Sequence, residues 1–146
     1  MTESGPQAAG LERRPVVTAF LRRGGRVLVV RRSGRVGSYR GRWSGISGYL
    51  EDPTALAQAL REIREETGIP ESDLTLAAAG EPLEIPAREI GVLWVVHPFL
   101  FELAGSREVR LDWENTEHRW VEPDELAELE TVPSLGEALE RCLERR

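Results

Sequence analysis

Apolar and polar residues follow one another along the chain in patterns that predict several strands and one clear internal helix. Two β-branched runs in PVVTAFLRRGGRVLVVRRS flank Gly24 and Gly25, an arrangement typical of a β-hairpin with a two-residue turn. The segment GVLWVVHPFLFEL is apolar almost throughout, which predicts a strand buried on both faces of a sheet. Three shorter runs, DLTLAAA, REVRLD and HRWVEP, predict further strands, and WENTE predicts a loop before the last of them.

The internal helix is predicted over residues 54–67. Thr54 is the expected N-cap, with Asp52 followed by Pro53 as the alternative start, and Gly68 is the expected left-handed C-cap. At about 100° per residue, one stripe of the helix is made of core-forming residues. These are Leu56, Ala59, Leu60, Ile63 and Thr67. The neighbouring arc is acidic and consists of Glu62, Glu65 and Glu66.

The C-terminal part of the chain predicts two more helices. Pro123 opens a short one in PDELAELE, and PSLGEALERCLERR has the apolar spacing of a final amphipathic helix. The order of strands, helix, strands and helices predicts a mixed sheet with helices packed on it, an α/β fold. Residues 1–13 are polar and contain glycine and proline, so we expect a flexible N-terminal tail followed by a single domain over residues 14–146.

Composition restricts the classes of function. The formal net charge of -6 argues against a general nucleic-acid-binding protein. A single cysteine, Cys142, excludes an internal disulfide and a cysteine-based zinc cluster. All 19 residues counted as lysine or arginine are arginine, which excludes mechanisms that need a catalytic lysine. No apolar run is long enough to span a bilayer and no signal peptide is recognisable, so we expect a cytoplasmic protein without a membrane partner.

The acidic arc of the helix allows two interpretations. A charged run is most often only a solvated helix face. However, Glu62 and Glu66 are spaced i,i+4, and such a like-charge pair is destabilising by a few tenths of a kcal/mol. Carboxylate oxygens are also the ligands that Mg²⁺ prefers, so a bound cation would offset the repulsion.

The segment REIREETGI, residues 61–69, resembles the second half of the Nudix box. It matches this motif at every defined position, namely Arg61, Glu62, Ile63, Glu65, Glu66, Gly68 and Ile69. The segment WSGISGYLE precedes it as in the family, and the resemblance extends over about residues 14–130. The first half of the box is one residue short, because the position of its first glutamate falls on Pro53 or Thr54. Glu51 and Asp52 are out-of-register substitutes.

The resemblance implies an α/β/α sandwich with the mixed sheet between the helices. It also implies a metal-dependent hydrolase that cleaves a diphosphate linkage in a nucleoside diphosphate derivative or a nucleoside triphosphate. Mg²⁺ is the expected cofactor, with Mn²⁺ as an alternative. The implied metal ligands are the backbone carbonyl of Ser47 and the side chains of Glu62, Glu65, Glu66 and Glu114. The implied catalytic residues are Arg61, Glu65, Glu66 and Glu114.

Other roles stay open in the sequence. Glu117 is the alternative to Glu114 as general base. Substrate contacts are expected from Arg40, Arg42, Trp43 and Arg88. The alternatives are a solvated loop for Arg40 and Arg42, core packing for Trp43 and an ion pair at a strand edge for Arg88.

Two other functions compete with the hydrolase. One is a catalytically silent Nudix-like module that binds or senses a nucleotide. The other is an isoprenyl diphosphate isomerase, an activity associated with a catalytic cysteine in the core of this fold. The only cysteine, Cys142, is predicted in the terminal helix, so the isomerase is the weaker alternative. Whether the chain forms a homodimer is left open.

Overall fold

An eight-stranded mixed sheet is the scaffold of the molecule. The computed structural model describes residues 10–143. The strands are β1 (Glu12–Arg23), β2 (Arg26–Arg32), β3 (Trp43–Ser44), β4 (Ile46–Tyr49), β5 (Leu74–Ala79), β6 (Leu83–Ala87), β7 (Val92–Leu103) and β8 (Asn115–Val121). The α-helices are α1 (Ala55–Thr67) and α2 (Leu135–Leu143), and short 3₁₀ turns cover Glu71–Asp73, Arg88–Ile90 and Pro123–Glu128.

The centre of the sheet is a parallel pair, β1 and β7, in register from Glu12 opposite Val92 to Arg22 opposite Glu102. All other strand pairs are antiparallel. Strand β7 contains no exposed residue, which confirms the prediction of a strand buried on both faces. The predicted hairpin is confirmed as β1 and β2, whose connecting residues Gly24 and Gly25 both have positive φ angles.

Two apolar clusters lie on opposite faces of the sheet, one beneath each helix. Ala59 and Ile63 of α1 belong to the cluster that contains Val17 and Phe101. The other cluster joins Leu139 and its neighbours on α2 to the opposite side of the same strands. Because one helix covers each face, the arrangement is the expected α/β/α sandwich.

Three strand predictions need correction. The segment REVRLD is irregular rather than a strand. It lies against the end of α1, where the backbone N–H of Arg110 donates to the carbonyl of Thr67. Strand β8 begins at Asn115, so part of the predicted loop WENTE belongs to the ladder with β2. Strand β6 was not predicted; it contains Pro86 and pairs only with β7, and such an edge position tolerates proline.

The predicted division of α1 into a core face and an acidic face is wrong at its boundary. Leu56 is exposed, whereas Glu62 and Glu66 are buried together with Gln58. The helix is rotated so that these three polar side chains, spaced i,i+4, face inward. The i,i+4 spacing places the three polar side chains on one face, but the contacts with Gly48 and Asn115 that turn this face inward come from other segments.

The ends of the chain bear on the predicted domain boundary. Strand β1 begins at Glu12, two residues before the expected start of the domain at position 14. Most of the predicted tail, residues 1–9, lies outside the described residues. Within residues 10–143 no helix has the length and apolar character that a membrane crossing requires.

The N-terminal end of α1 gives a first prediction. Thr54 is the N-cap, and its Oγ1 accepts a hydrogen bond from the backbone N–H of Ala57 at 3.1 Å. We expect Thr54→Ala to lower the free energy of unfolding by about 1 kcal/mol, because the N–H loses its partner. Urea denaturation measures this, with Ser72→Ala in an exposed turn as the control. Equal stability of the two variants would contradict the assignment of Thr54 as N-cap.

Candidate active site

Three carboxylates converge at one end of the sheet. Ligand oxygens of Glu62, Glu66 and Glu114 all lie within 4.8 Å of one another. The first two residues are one turn apart on the inner face of α1. Glu114 belongs to the loop just before β8, and its backbone carbonyl accepts a hydrogen bond of 2.8 Å from the N–H of Ser33, which follows β2. The pairing of β2 with β8 therefore brings Glu114 to the helix from a distant part of the sequence.

The carboxylate of Glu62 is fixed from two sides. Gln58 Nε2 donates to Glu62 Oε2 at 2.7 Å. On the other side the carboxylate packs directly against the backbone of Gly48 in β4, where a Cβ atom would overlap it. Gly48 is therefore needed for the close approach of strand and side chain rather than for an unusual φ angle.

Glu66 is the most constrained of the three acids. It is only 3% exposed. Asn115 Nδ2 donates to Glu66 Oε1 at 3.1 Å, whereas Glu66 Oε2 is buried without a hydrogen-bond partner among residues 10–143. Burial, together with the nearby charge of Glu114, raises the pKa of Glu66 well above its ordinary value. Leaving such an oxygen unsatisfied is costly, so this atom indicates a group that the protein chain does not itself supply.

Glu114 has an environment that raises its proton affinity. Its partial burial and the negative charges of Asp112 and Glu62 raise its pKa from the ordinary value to about 7, although Arg32 acts in the opposite direction. Arg32 is mostly buried at the end of β2, near both Glu66 and Glu114. Its Nε donates to the backbone carbonyl of Ser38 at 2.8 Å, which holds the guanidinium at this end of the site.

The residues of this cluster suit a divalent cation. Three carboxylates meet where one oxygen is buried and unpartnered, and hard oxygen ligands are the donor set that Mg²⁺ takes. In the metal-free protein a proton on one carboxylate relieves the repulsion, and a divalent cation can replace that proton. The cluster contains three of the five predicted metal ligands, namely Glu62, Glu66 and Glu114.

The other predicted acid of the helix, Glu65, lies on its outer face. Arg61 Nε donates to Glu65 Oε2 at 3.3 Å, and Arg61 Nη1 donates to Asp52 Oδ1 at 2.9 Å. Glu65 therefore lies outside the three-carboxylate cluster, although the charges of Glu65 and Arg61 still act on Glu62. Together with Asp52 they form an exposed network of ion pairs that connects α1 to the segment before it.

A cavity of about 160 Å³ borders the carboxylate cluster through Glu114. Glu114 and Arg32 line one end, and an aromatic group of Tyr39, Tyr49 and Trp94 lines another part. Trp94 Nε1 donates to Tyr39 Oη at 3.0 Å, and the rings of Tyr49 and Trp94 have centroids 6.3 Å apart.

Backbone strain occurs at this cavity. Tyr39 and Ser134, the two non-glycine residues with positive φ among residues 10–143, both line it. Such conformations persist only where the surrounding structure enforces them, and they concentrate at binding sites.

Of the six residues predicted to contact metal or substrate outside the helix, Ser47 and Glu114 line this cavity and the other four do not. Arg42 Nη1 donates to the backbone carbonyl of Thr131 at 3.2 Å, and Trp43 is buried in the core. Arg40 is held by its own loop through a 2.7 Å bond to the carbonyl of Val36. Arg88 lies in the exposed turn after β6.

Several residues of the site were not predicted. Gln58, Asn115 and Arg32 contact or face the carboxylates, while Tyr39 and Tyr49 form the aromatic wall with Trp94. One signal was available, since a glutamine and two glutamates at i,i+4 spacing share a helix face. The others depend on loop conformation and on the β2–β8 pairing.

Comparison with known proteins defines the class. The model of the NUDIX domain family matches residues 12–142, so the chain belongs to this family. The family match confirms the class predicted from the sequence, a Nudix-type pyrophosphohydrolase. No curated protein sequence matches the chain.

Solved structures share this fold at low sequence identity. The dihydroneopterin triphosphate pyrophosphohydrolase of E. coli has 21% identity and a TM-score of 0.74, covering 89% of this chain and 94% of that one. An Ap4A hydrolase of C. elegans has 22% identity and a TM-score of 0.71, with 88% and 93% covered. The NUDIX domain of Shewanella oneidensis NrtR, complexed with ADP ribose, has 16% identity and a TM-score of 0.71, with 97% and 96% covered.

The raised pKa values of Glu66 and Glu114 predict the pH dependence of stability in the metal-free protein. Between about pH 4.5 and 7 the folded protein binds more protons than the unfolded chain, so its stability falls as the pH rises. We expect Glu66→Gln to weaken this dependence and to raise the melting temperature in EDTA at pH 8.

Thermal unfolding in EDTA from pH 5 to 8 tests this, with Glu89→Gln in the exposed turn Arg88–Ile90 as the control. A melting temperature of Glu66→Gln that tracks the wild type at every pH would contradict the prediction.

Proposed function

We propose that this protein is a metal-dependent hydrolase that cleaves a diphosphate linkage in a nucleoside diphosphate derivative or a nucleoside triphosphate. The observation that carries the proposal is the buried, unpartnered oxygen of Glu66 within three converging carboxylates. Through Glu114 the cluster borders a cavity with an aromatic wall. This combination suits a substrate whose phosphates approach the acids while its ring enters the cavity.

The metal in this proposal is Mg²⁺, with Mn²⁺ as the alternative. Glu62, Glu66 and Glu114 would hold it, and the backbone carbonyl of Ser47 is the predicted additional ligand. When bound, such an ion neutralises phosphate charge and acidifies a water molecule. The exposed Glu65 and Arg61 act indirectly in this scheme, by holding the segment that precedes α1.

The chain supplies the remaining functional groups. The carboxylate of Glu114 is the proposed acceptor of the proton of the attacking water, because it lines the cavity beside Glu62 and Glu66. The guanidinium of Arg32 lies beside the same carboxylates and lines the cavity, so it can donate to phosphate oxygens of the substrate. In this proposal Arg32 contacts the substrate phosphates, while Arg40 and Arg42, the substrate contacts predicted from the sequence, lie outside the cavity.

The aromatic part of the cavity would hold the ring of the substrate. Tyr49 is 52% exposed and faces Trp94, so its ring is open to a ligand. Stacking of a base on an aromatic side chain contributes about 1–3 kcal/mol. The names of the three similar structures described above contain Ap4A, dihydroneopterin triphosphate and ADP ribose. Each of these compounds has a ring and phosphate groups, which supports a substrate of this kind here.

A silent nucleotide-binding module is the second candidate. The shortened first half of the Nudix box favours it, as does the similar NUDIX domain of NrtR, which was crystallised with ADP ribose. The intact cluster of Glu62, Glu66 and Glu114 favours the enzyme. The isomerase alternative gains no support, because Cys142 does not line the cavity.

The hydrolase predicts metal-dependent turnover. We expect one substrate from a panel of nucleoside diphosphate derivatives and triphosphates to be cleaved with Mg²⁺ or Mn²⁺ and not in EDTA. Glu66→Gln should lower kcat more than about 100-fold, because even outer-shell partners of metal ligands are worth about 10–100-fold.

The control for this assay is Glu71→Gln, since Glu71 is exposed in the turn Glu71–Asp73, outside the cavity. Absence of turnover with every substrate, combined with ligand binding that Glu66→Gln leaves unchanged, would favour the silent module instead.

The aromatic wall gives a separate prediction. We expect Tyr49→Ala to raise KM about tenfold with little change in kcat, because stacking on the ring stabilises ground state and transition state alike. Steady-state kinetics on the cleaved substrate measures this. Leu76→Ala, at an exposed apolar position on β5, is the matched control. Unchanged KM in Tyr49→Ala would place the substrate ring elsewhere.

A further inference from the structure

Gln58 is a fully buried amide at the start of α1. Its Oε1 accepts two hydrogen bonds of 2.8 Å, from the backbone N–H groups of Glu51 and Asp52. Its Nε2 donates to Glu62 Oε2 at 2.7 Å. The two ends of one amide therefore connect the segment before the helix to a carboxylate of the candidate metal centre.

This segment is the shortened part of the Nudix box. Its residues have to bridge β4 and α1 with one residue fewer than the motif, and no glutamate stands at the motif's first acidic position. Gln58 binds the segment from inside, while Arg61 binds Asp52 from the solvent side. The two backbone N–H groups that donate to Gln58 Oε1 belong to consecutive residues. This single oxygen therefore fixes the path of the segment before α1.

The same side chain restricts Glu62. Gly48 blocks the carboxylate on one side and the Gln58 amide donates to it on the other, so Glu62 is held in one orientation. Only a neutral amide performs both tasks, since a carboxylate could accept from the N–H groups but could not donate to Glu62. Outer-shell hydrogen bonds of this kind orient metal ligands and tune their affinity.

We propose that Gln58 is a positioning residue, which orients Glu62 for metal binding while it closes the shortened segment before α1. The inference rests on the proposed function, because it assigns Glu62 to a metal site. It goes beyond that function because it assigns to one side chain of the helix both the orientation of Glu62 and the attachment of the shortened segment.

The test is a double-mutant cycle on metal affinity. Gln58→Met keeps an unbranched side chain of similar length but removes all three hydrogen bonds. We expect it to weaken Mn²⁺ binding about 10–100-fold in the otherwise unchanged full chain, measured by electron paramagnetic resonance of free Mn²⁺. In the Glu62→Gln background the same substitution should change the dissociation constant less than about twofold, because its target carboxylate is gone.

Stability controls separate positioning from general damage. Ile63→Val truncates a fully buried apolar neighbour on α1, and we expect a lower melting temperature with unchanged Mn²⁺ affinity. If Gln58→Met does not fold, Gln58→Ala replaces it, since water can then reach the two N–H groups. Circular dichroism in EDTA establishes folding before each titration.

Two results would overturn the inference. One is unchanged Mn²⁺ affinity in a folded Gln58 variant, which would reduce Gln58 to a packing residue. The other is an equal loss in the wild-type and Glu62→Gln backgrounds, which would show that it does not act through Glu62. Failure of the wild-type chain itself to bind Mn²⁺ is a different outcome and would contradict the proposed function.

Discussion

The mutual repulsion of three half-buried or buried carboxylates is the constraint on which this structure depends. Glu62, Glu66 and Glu114 are held within 4.8 Å of one another, and one oxygen of Glu66 has no partner among residues 10–143. Such a cluster lowers the stability of the fold, because each buried charge is costly without a counter-charge. The stability that the sheet and its two apolar clusters provide therefore supports a site that is unfavourable until a cation or a proton occupies it.

The surrounding structure prevents the carboxylates from moving apart. Gly48 and Gln58 confine Glu62, and Asn115 confines Glu66. The loop that carries Glu114 is attached to the end of β2 by a backbone hydrogen bond. These supports come from β4, α1 and β8, so the site is formed only when the sheet and the helix are both in place.

Helix α1 separates two kinds of acidic residue by its orientation. Its inner face presents acids to the candidate metal centre, while its outer face pairs Arg61 with Glu65 and Asp52 in water. Exposed ion pairs of this kind contribute little to stability, about 0–1 kcal/mol each. They connect the helix to Asp52 in the segment that precedes it.

The sequence by itself determined the hairpin, the buried strand β7, the limits of α1 and the family, because these follow from short-range patterns of apolar residues, glycines and the Arg-Glu-x-x-Glu-Glu motif. Tertiary structure alone decided which acids of the helix turn inward. It also joined Glu114 and Arg32 to them through the pairing of β2 with β8, and it built the aromatic cavity from Tyr39, Tyr49 and Trp94. The reason is physical, since helical periodicity fixes which residues share a face, whereas only packing against distant segments fixes what that face meets.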